Sequence, residues 1–282
     1  MLLGFNLLLW STHVTEEHFP LLEDIKAAGY DGVEIPIFEG EPEHFSRLGQ
    51  ALKDIGLRAT AVAVIPDAAR DCTSSAPAVQ TAALEHIKWA IDCLAAAGGE
   101  VLSGPFHQPL GVFTGEPPTQ SERDNIVAVH RPAAAYAASH NIKLSLEPLN
   151  RFECYVLNTV ADCAAIARSV GAPNYGVLYD TFHANIEEKD PVGVIGENLA
   201  YINHVHFSEN DRGTPGKGHV PWAATMKALK QGGYSDWCVV EAFGRALPAV
   251  AAATRVWRDF FTSREEVYRS GHDFLRETWA RA

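Results

Sequence analysis

Residues 175–183 read YGVLYDTFH, residues 202–210 read INHVHFSEN and residues 237–243 read WCVVEAF. Each is a short, nearly continuous apolar run, and each carries an ionisable residue near its end: Asp180, His206 and Glu241. A strand with one wet face alternates apolar and polar side chains. A parallel strand packed on both faces does not, so these runs suit a parallel sheet flanked by helices. Comparable runs lie upstream at Leu2–Trp10, Gly32–Phe38, Arg58–Ile65, Glu100–Phe106 and Ile142–Leu149, which brings the number of expected strands to eight.

Helical stretches separate the strands and have recognisable limits. One is expected from Glu16 to Ala28 with a stop at Gly29, and a second from Glu41 to Ile55 with a stop at Gly56. An alanine-rich third ends at Gly98–Gly99, and a fifth runs from about Asn158–Thr159 to Gly171. Glycine just past the last turn is a common helix terminator. In the last helix Val267, Phe274, Leu275 and Thr278 fall near one face. Eight βα units follow one another without a linker or a change in composition. A doubly wound open sheet rarely needs eight regular units, and its glycine fingerprint after the first strand is missing. The expected architecture is therefore α/β, a single (β/α)₈ TIM barrel domain spanning residues 1–282.

Composition narrows the function. Of 282 residues, 47% are hydrophobic and 21% charged, enough to bury a large core, while a formal net charge of -12 disfavours a nucleic-acid partner. The apolar start MLLGFNLLLW has no basic residue ahead of it and meets Ser11, Thr12 and His13 well short of the roughly 20 apolar residues of a spanning helix. It is expected to be a buried first strand, with no membrane partner. The five cysteines are odd in number and scattered, with no C-x-x-C pair, which fits a reducing cytoplasm better than a disulfide framework.

In a (β/α)₈ barrel, chemistry sits at the C-terminal ends of the strands. The last four strands end near Glu147 (LSLEPLN), Asp180, His206 and Glu241, so closure brings three carboxylates and one imidazole into a small volume. Crowded carboxylates repel strongly at low dielectric, and a divalent cation is the simplest way to keep them ionised. Such an oxygen-rich set favours Mn²⁺, Co²⁺ or Mg²⁺ over a thiolate zinc site. A cation there could bind vicinal sugar oxygens, polarise a carbonyl and stabilise an enediolate, while a neighbouring carboxylate takes the proton beside that carbonyl. An epimerase must reach both faces of one carbon, and Glu147 and Glu241, three strands apart with the metal between them, are the economical pair. Glu34, in GVEIP, is expected to point to the same mouth and touch substrate. His204 should lie deeper in a structural role, and Trp10 and Phe106 are candidate sugar walls.

The segments LEPLNRFE at 146–153, LYDTFHANIEE at 178–188 and HVHFSENDRGTPGKGHVPW at 204–222 resemble the D-tagatose 3-epimerase and D-psicose (allulose) 3-epimerase family of xylose isomerase-like TIM barrels. VVEAF at 239–243 and RVWRDF at 255–260 continue the likeness, which is dense from about residue 140 onward. The resemblance implies Glu147, Asp180, His206 and Glu241 as metal ligands, with Glu147 and Glu241 also transferring protons. It implies that Glu153, His183 and Arg212 hydrogen-bond the O1–O3 end of a ketose, that the ion is Mn²⁺ or Co²⁺, and that the assembly is a homodimer or homotetramer. From the residues alone, His183 could simply be a satisfied loop histidine, Arg212 an ordinary loop charge, and Glu153 a partner of Arg151.

One segment departs from the family pattern. Ketohexose epimerases usually carry a tryptophan after the fourth strand, whereas this chain reads GPFHQPLGVF at 104–113, which puts His107 and Gln108 in place of that wall. The expected activity is a metal-dependent ketose 3-epimerase working through a metal-bound enediolate. The alternative is a lyase or dehydratase of the same superfamily acting on a keto-sugar or 3-oxo-glycoside. A DNA-processing relative would need a basic face that the acidic chain lacks, and a non-catalytic sugar-binding barrel has no use for a second carboxylate base.

Overall fold

The computed structural model describes all 282 residues. Eight parallel strands close into a barrel in sequence order, and the last pairs with the first. They are β1 (Leu2–Asn6), β2 (Gly32–Pro36), β3 (Arg58–Val62), β4 (Val101–Gly104), β5 (Lys143–Leu146), β6 (Tyr175–Asp180), β7 (Ile202–Phe207) and β8 (Trp237–Val240). The outer ring comprises α1 (Phe19–Ala27), α2 (Pro42–Ile55), α3 (Pro77–Ala96), α4 (Gln120–Ser139) and α5 (Val160–Val170). It continues through the short α6 (Thr181–Glu187) and α7 (Gly193–Asn198), then α8 (Trp222–Gln231), the short α9 (Pro248–Ala253) and α10 (Arg264–Arg281). No helix is long and apolar enough to cross a membrane.

Period two along each strand sorts the side chains. On β7, Val205 and Phe207 join the large core between barrel and helices, whereas His204 and His206 contact Glu34 across the barrel interior. On β8, Cys238 and Val240 belong to that outer core, while Trp237 and Val239 form a separate inner cluster with Val101. Trp237 plugs the base of the barrel because Gly32 has no side chain. A Cβ there would lie 2.6 Å from the indole and 2.5 Å from the Arg58 carbonyl. The interior is thus apolar at the base, polar in the middle and acidic at the mouth.

Several elements are shorter than the apolar runs suggest. β1 stops at Asn6, whose side chain accepts the Leu8 N–H (2.9 Å) and turns Leu7–Leu9 into a 3₁₀ turn. Trp10 therefore does not end a strand. The helix expected from Glu16 begins as a 3₁₀ turn and becomes α-helical only at Phe19, with Pro20 in its first turn, where no backbone donor is needed. Gly56 and Gly171 terminate α2 and α5 at φ 83° and 71°, a left-handed conformation that glycine adopts without a Cβ penalty.

His130 on α4 ties this helix to the barrel. Its Nε2 lies 3.0 Å from the Phe106 carbonyl and its Nδ1 2.5 Å from the Tyr175 hydroxyl, which a neutral ring satisfies by donating to the first and accepting from the second. Burial pushes its pKa down to about 4. Above the unfolded value of about 6.5 both states are neutral and pH has no effect through this group. Below it only the unfolded chain binds the proton, so stability falls as pH drops toward 4. Between pH 7 and pH 5 this one ring should remove about 2 kcal/mol. Urea unfolding at both pH values should show that loss in the wild type and a correspondingly smaller one in His130→Gln. Parallel losses in the two proteins would contradict this origin.

Candidate active site

The four strand-end groups meet. One ligand atom from each of Glu147, Asp180, His206 and Glu241 lies within 4.8 Å of the others, and all four residues are buried. His206 Nδ1 is 3.5 Å from Glu241 Oε1 and 3.9 Å from both Glu147 Oε1 and Asp180 Oδ2. Asp180 starts α6 and gives one oxygen to the Phe182 N–H (2.6 Å), which leaves Oδ2 facing the cluster. Glu147 and Glu241 sit just beyond β5 and β8, their N–H groups still bonded to Gly104 O (3.0 Å) and Phe207 O (3.2 Å). Backbone and side chain therefore have separate tasks at these positions.

The electrostatics are those of like charges held together. Burial raises the Glu147 and Asp180 carboxyls, reinforced in each case by Glu241. Burial would raise Glu241 as well, but Arg212 and His206 outweigh it and bring it below its usual range. His206 resists its own burial because Glu34 and Glu241 hold it well above an ordinary histidine. Its Nδ1 is buried with no hydrogen-bond partner. An orphaned imidazole nitrogen facing three hard carboxylates fits a divalent cation with oxygen preference, bound by these four residues.

Arg212 covers the cluster. Its Nη1 donates to Glu241 Oε2 (2.5 Å), Ser208 Oγ (2.7 Å) and Asp180 Oδ2 (3.0 Å), while Nη2 lies 2.9 Å from His183 Nε2. The guanidinium carbon sits 3.9 Å from the Phe182 ring centre and 4.9 Å from that of Phe243. Its backbone is left-handed, φ 64°, a conformation costing a side-chain-bearing residue about 1–2 kcal/mol. The Arg212 N–H bonded to Glu209 O (2.9 Å) and the Phe243 N–H bonded to Arg212 O (3.0 Å) hold it there. His183 Nδ1 accepts the Asn150 N–H (2.9 Å), and its Nε2, beside Arg212, lies 3.7 Å from Glu147 Oε1. Burial and Arg212 keep this ring neutral. Glu153 accepts from Asn150 Nδ2 (2.7 Å), and Arg151 pairs with Glu187 instead.

A cavity of about 280 Å³ opens above these groups. Glu147, Glu153, His183, Arg212 and Glu241 form its polar floor, and its walls are mainly apolar, including Leu8, Phe38, Val62, Leu110, Phe243 and Val250. Several expected contacts do not reach it. Glu34 does not point to the mouth: it is fully buried one layer below, surrounded by Asn6, Thr60, Ser103, His204 and His206. Trp10 packs on Phe5 and Tyr268, and Phe106 on His130. His107 is fully buried outside the cavity lining, and Gln108 is spent holding the Tyr155 and Val156 N–H groups and the Val112 carbonyl. Pro105 and Leu110 line that side instead.

Sequence reasoning missed Asn6, Ser208 and Glu209. Glu209 is fully buried and accepts from Trp222 Nε1 and from the N–H groups of Asn210, Gly216 and Val220, which fixes the loop that carries Arg212. Its place in the SEND run, directly after a strand and before a glycine-rich loop, was the only available signal.

Barrel, acidic cluster and capping arginine define a (β/α)₈ protein with a candidate metal-binding cluster at the mouth of its barrel. The Xylose isomerase-like TIM barrel family model matches residues 22–278, and the chain belongs to that family. It is 31% identical over 280 residues to a ketose 3-epimerase of Arthrobacter globiformis, covering 98% of this chain and 96% of that one. It is 30% identical over 276 residues to a probable ketose 3-epimerase of Synechocystis, covering 98% and 96%. Among solved structures, a D-allulose 3-epimerase from Methylomonas in complex with D-allulose superposes with a TM-score of 0.92 at 30% identity, covering 99% of this chain and 97% of that one.

A cation held only by the folded site stabilises it by mass action, about 2.7 kcal/mol at a hundredfold excess over Kd. For a chain of this length that corresponds to a melting temperature about 4–5 °C higher with Mn²⁺ than after chelation. Differential scanning fluorimetry should show this rise in the wild type and lose it in Asp180→Ala. An equal rise in both proteins would place the ion elsewhere.

Proposed function

We propose that this chain is a divalent-metal-dependent ketose 3-epimerase acting on an unphosphorylated ketose, with Mn²⁺ or Co²⁺ on Glu147, Asp180, His206 and Glu241. The observation that carries the reading is the pair Glu147 and Glu241, two carboxylates opening onto one cavity with Asp180 and His206 at the same cluster. A binding protein needs no such pair, and a single-base lyase needs only one. The relatives named ketose 3-epimerases and the D-allulose-bound structural neighbour support the same substrate class.

When bound, a divalent cation would supply Lewis-acid polarisation of the ketose carbonyl and offset the charge of the enediolate. The chain's own groups do the rest. Arg212 presents donors to the O1–O3 end, His183 Nε2 lines the cavity next to it, and Glu153 presents an acceptor beside them. One carboxylate of the Glu147/Glu241 pair takes the C3 proton and the other returns one to the opposite face, so the configuration inverts. The apolar walls exclude water from the reacting carbon and pack against the distal carbons of the sugar. Arg212 is the only lysine or arginine lining the cavity, and it is committed to the floor, so a distal phosphate would find no cationic partner. Five free, buried cysteines support a reducing cytoplasm as the compartment.

The test separates the two faces. Glu241→Gln and Glu147→Gln, each reloaded with Mn²⁺ and checked for occupancy, should lose net epimerisation beyond the roughly 10²–10⁴-fold typical of one acid–base group. Each should still exchange the C3 hydrogen of one epimer with D₂O without inverting it, and the two variants should prefer opposite epimers, as read by NMR. Wild-type epimerisation in either metal-loaded variant would rule out the two-carboxylate assignment.

A further inference from the structure

Glu34 is ringed by side-chain donors, with no lysine or arginine among them. Oε1 accepts from Asn6 Nδ2 (3.0 Å) and faces His206 Nε2 at 2.7 Å. Oε2 accepts from Ser103 Oγ (2.9 Å) and Thr60 Oγ1 (3.2 Å) and faces His204 Nε2 at 2.8 Å. All these side chains are fully buried, and they come from β1, β3, β4 and β7. Five strands, β2 included, thus converge on one carboxylate directly beneath the acidic mouth.

Glu34, His204 and His206 could be taken for a second metal site. The distances argue otherwise. Ligand atoms sharing one ion at about 2.1 Å stand roughly 3.0 Å apart in octahedral and 3.4 Å apart in tetrahedral geometry. The 2.7 and 2.8 Å separations here are those of direct contacts, a hydrogen bond from His204 and an ion-pair approach of His206, too short for two ligands of one ion. The upper cluster, with 3.5 and 3.9 Å between His206 Nδ1 and its carboxylates, has the wider spacing that an ion requires.

Two links run upward from this lower cluster. Glu34 against Nε2 of His206 places the ring proton on that nitrogen and turns the Nδ1 lone pair toward Glu147, Asp180 and Glu241. Asn6 Nδ2 bridges the second link, donating both to Glu34 Oε1 and to Glu241 Oε1 (3.1 Å), while its Oδ1 is pinned by the Leu8 N–H. A histidine ligand backed by a carboxylate has its tautomer and ring orientation fixed, and loss of such a partner commonly weakens metal binding about 10–100-fold. We infer that Glu34 is the positioning residue of the metal site, setting His206 directly and Glu241 through Asn6. His204 and Ser103 keep the Glu34 carboxylate in place and make no hydrogen bond to the ligands, although the His204 ring packs edge-on against His206.

This inference rests on the metal reading proposed above, and calorimetric titration of metal-free protein with Mn²⁺ tells the two apart. Wild type that binds no Mn²⁺ would overturn the metal site, and this inference with it. Given binding by wild type, Glu34→Gln should bind about 10–100-fold more weakly, and its Co²⁺ form should show an altered visible absorption spectrum because the imidazole is no longer oriented. Ser103→Ala, which removes one donor from Glu34 but neither upward link, should stay within about threefold of wild type with an unchanged spectrum. Should Glu34→Gln fail to fold, Asn6→Ala removes the bridge to Glu241 together with the Leu8 cap, leaves the contact of Glu34 with His206, and is expected to weaken binding about 3–10-fold. Wild-type affinity and spectrum in Glu34→Gln, or in Asn6→Ala where that variant carries the test, would overturn the inference. So would a loss in Ser103→Ala as large as that in Glu34→Gln, which would make the effect one of packing.

Discussion

Holding Glu147, Asp180 and Glu241 around one imidazole, out of water, is the constraint to which the rest of this barrel answers. Left alone, three such carboxylates would take up protons or move apart. Three devices oppose this. Arg212 places a guanidinium against two of the acids, and the aromatic faces of Phe182 and Phe243 confine it. Asp180 is held through its own helix cap, and Asn6 fixes Glu241 from below. The strained backbone at Arg212 belongs to the same account: the left-handed turn aims the side chain back over the mouth, and the buried Glu209 network keeps the loop from relaxing.

Such a site would be costly on a fold that relied on its barrel interior for stability. Here the layers are segregated. The large apolar cluster lies between strands and helices, so the interior above Trp237 is free to be polar. The Glu34 layer then serves as a floor of directed hydrogen bonds in place of a packed apolar one. Hydrogen bonds fix orientation more narrowly than apolar contact does, which suits a support for ligands that need a defined direction.

Eight strands, their parallel arrangement and the helix stops at Gly56 and Gly171 were legible because burial on both faces and left-handed termini leave direct marks on composition. The four clustered groups were legible for a related reason, since each closes an apolar run and closure of the barrel does the rest. Glu34 was misplaced because strand position gives the face of a side chain but not its depth. It sits level with Asn6 and Thr60, one layer short of the mouth. Trp10 was misjudged because the Asn6 cap ends β1 early, an effect of one side-chain hydrogen bond that hydrophobic periodicity does not report. Gln108 and Glu209 were unreadable for a like reason: Gln108 holds N–H groups 47 and 48 residues away, and Glu209 those of the loop that follows it, neither of which periodicity reports.

The central claim is that the acidic cluster, with its ion, labilises the hydrogen at C3 of a free ketose. The most direct measurement is NMR of unphosphorylated ketoses incubated in D₂O with the Mn²⁺-loaded protein and, in parallel, with chelated protein. The account predicts C3 epimers that carry deuterium at C3 and form only in the metal-loaded sample. Exchange confined to C1, an unsaturated or cleaved product, or equal turnover after chelation would contradict it.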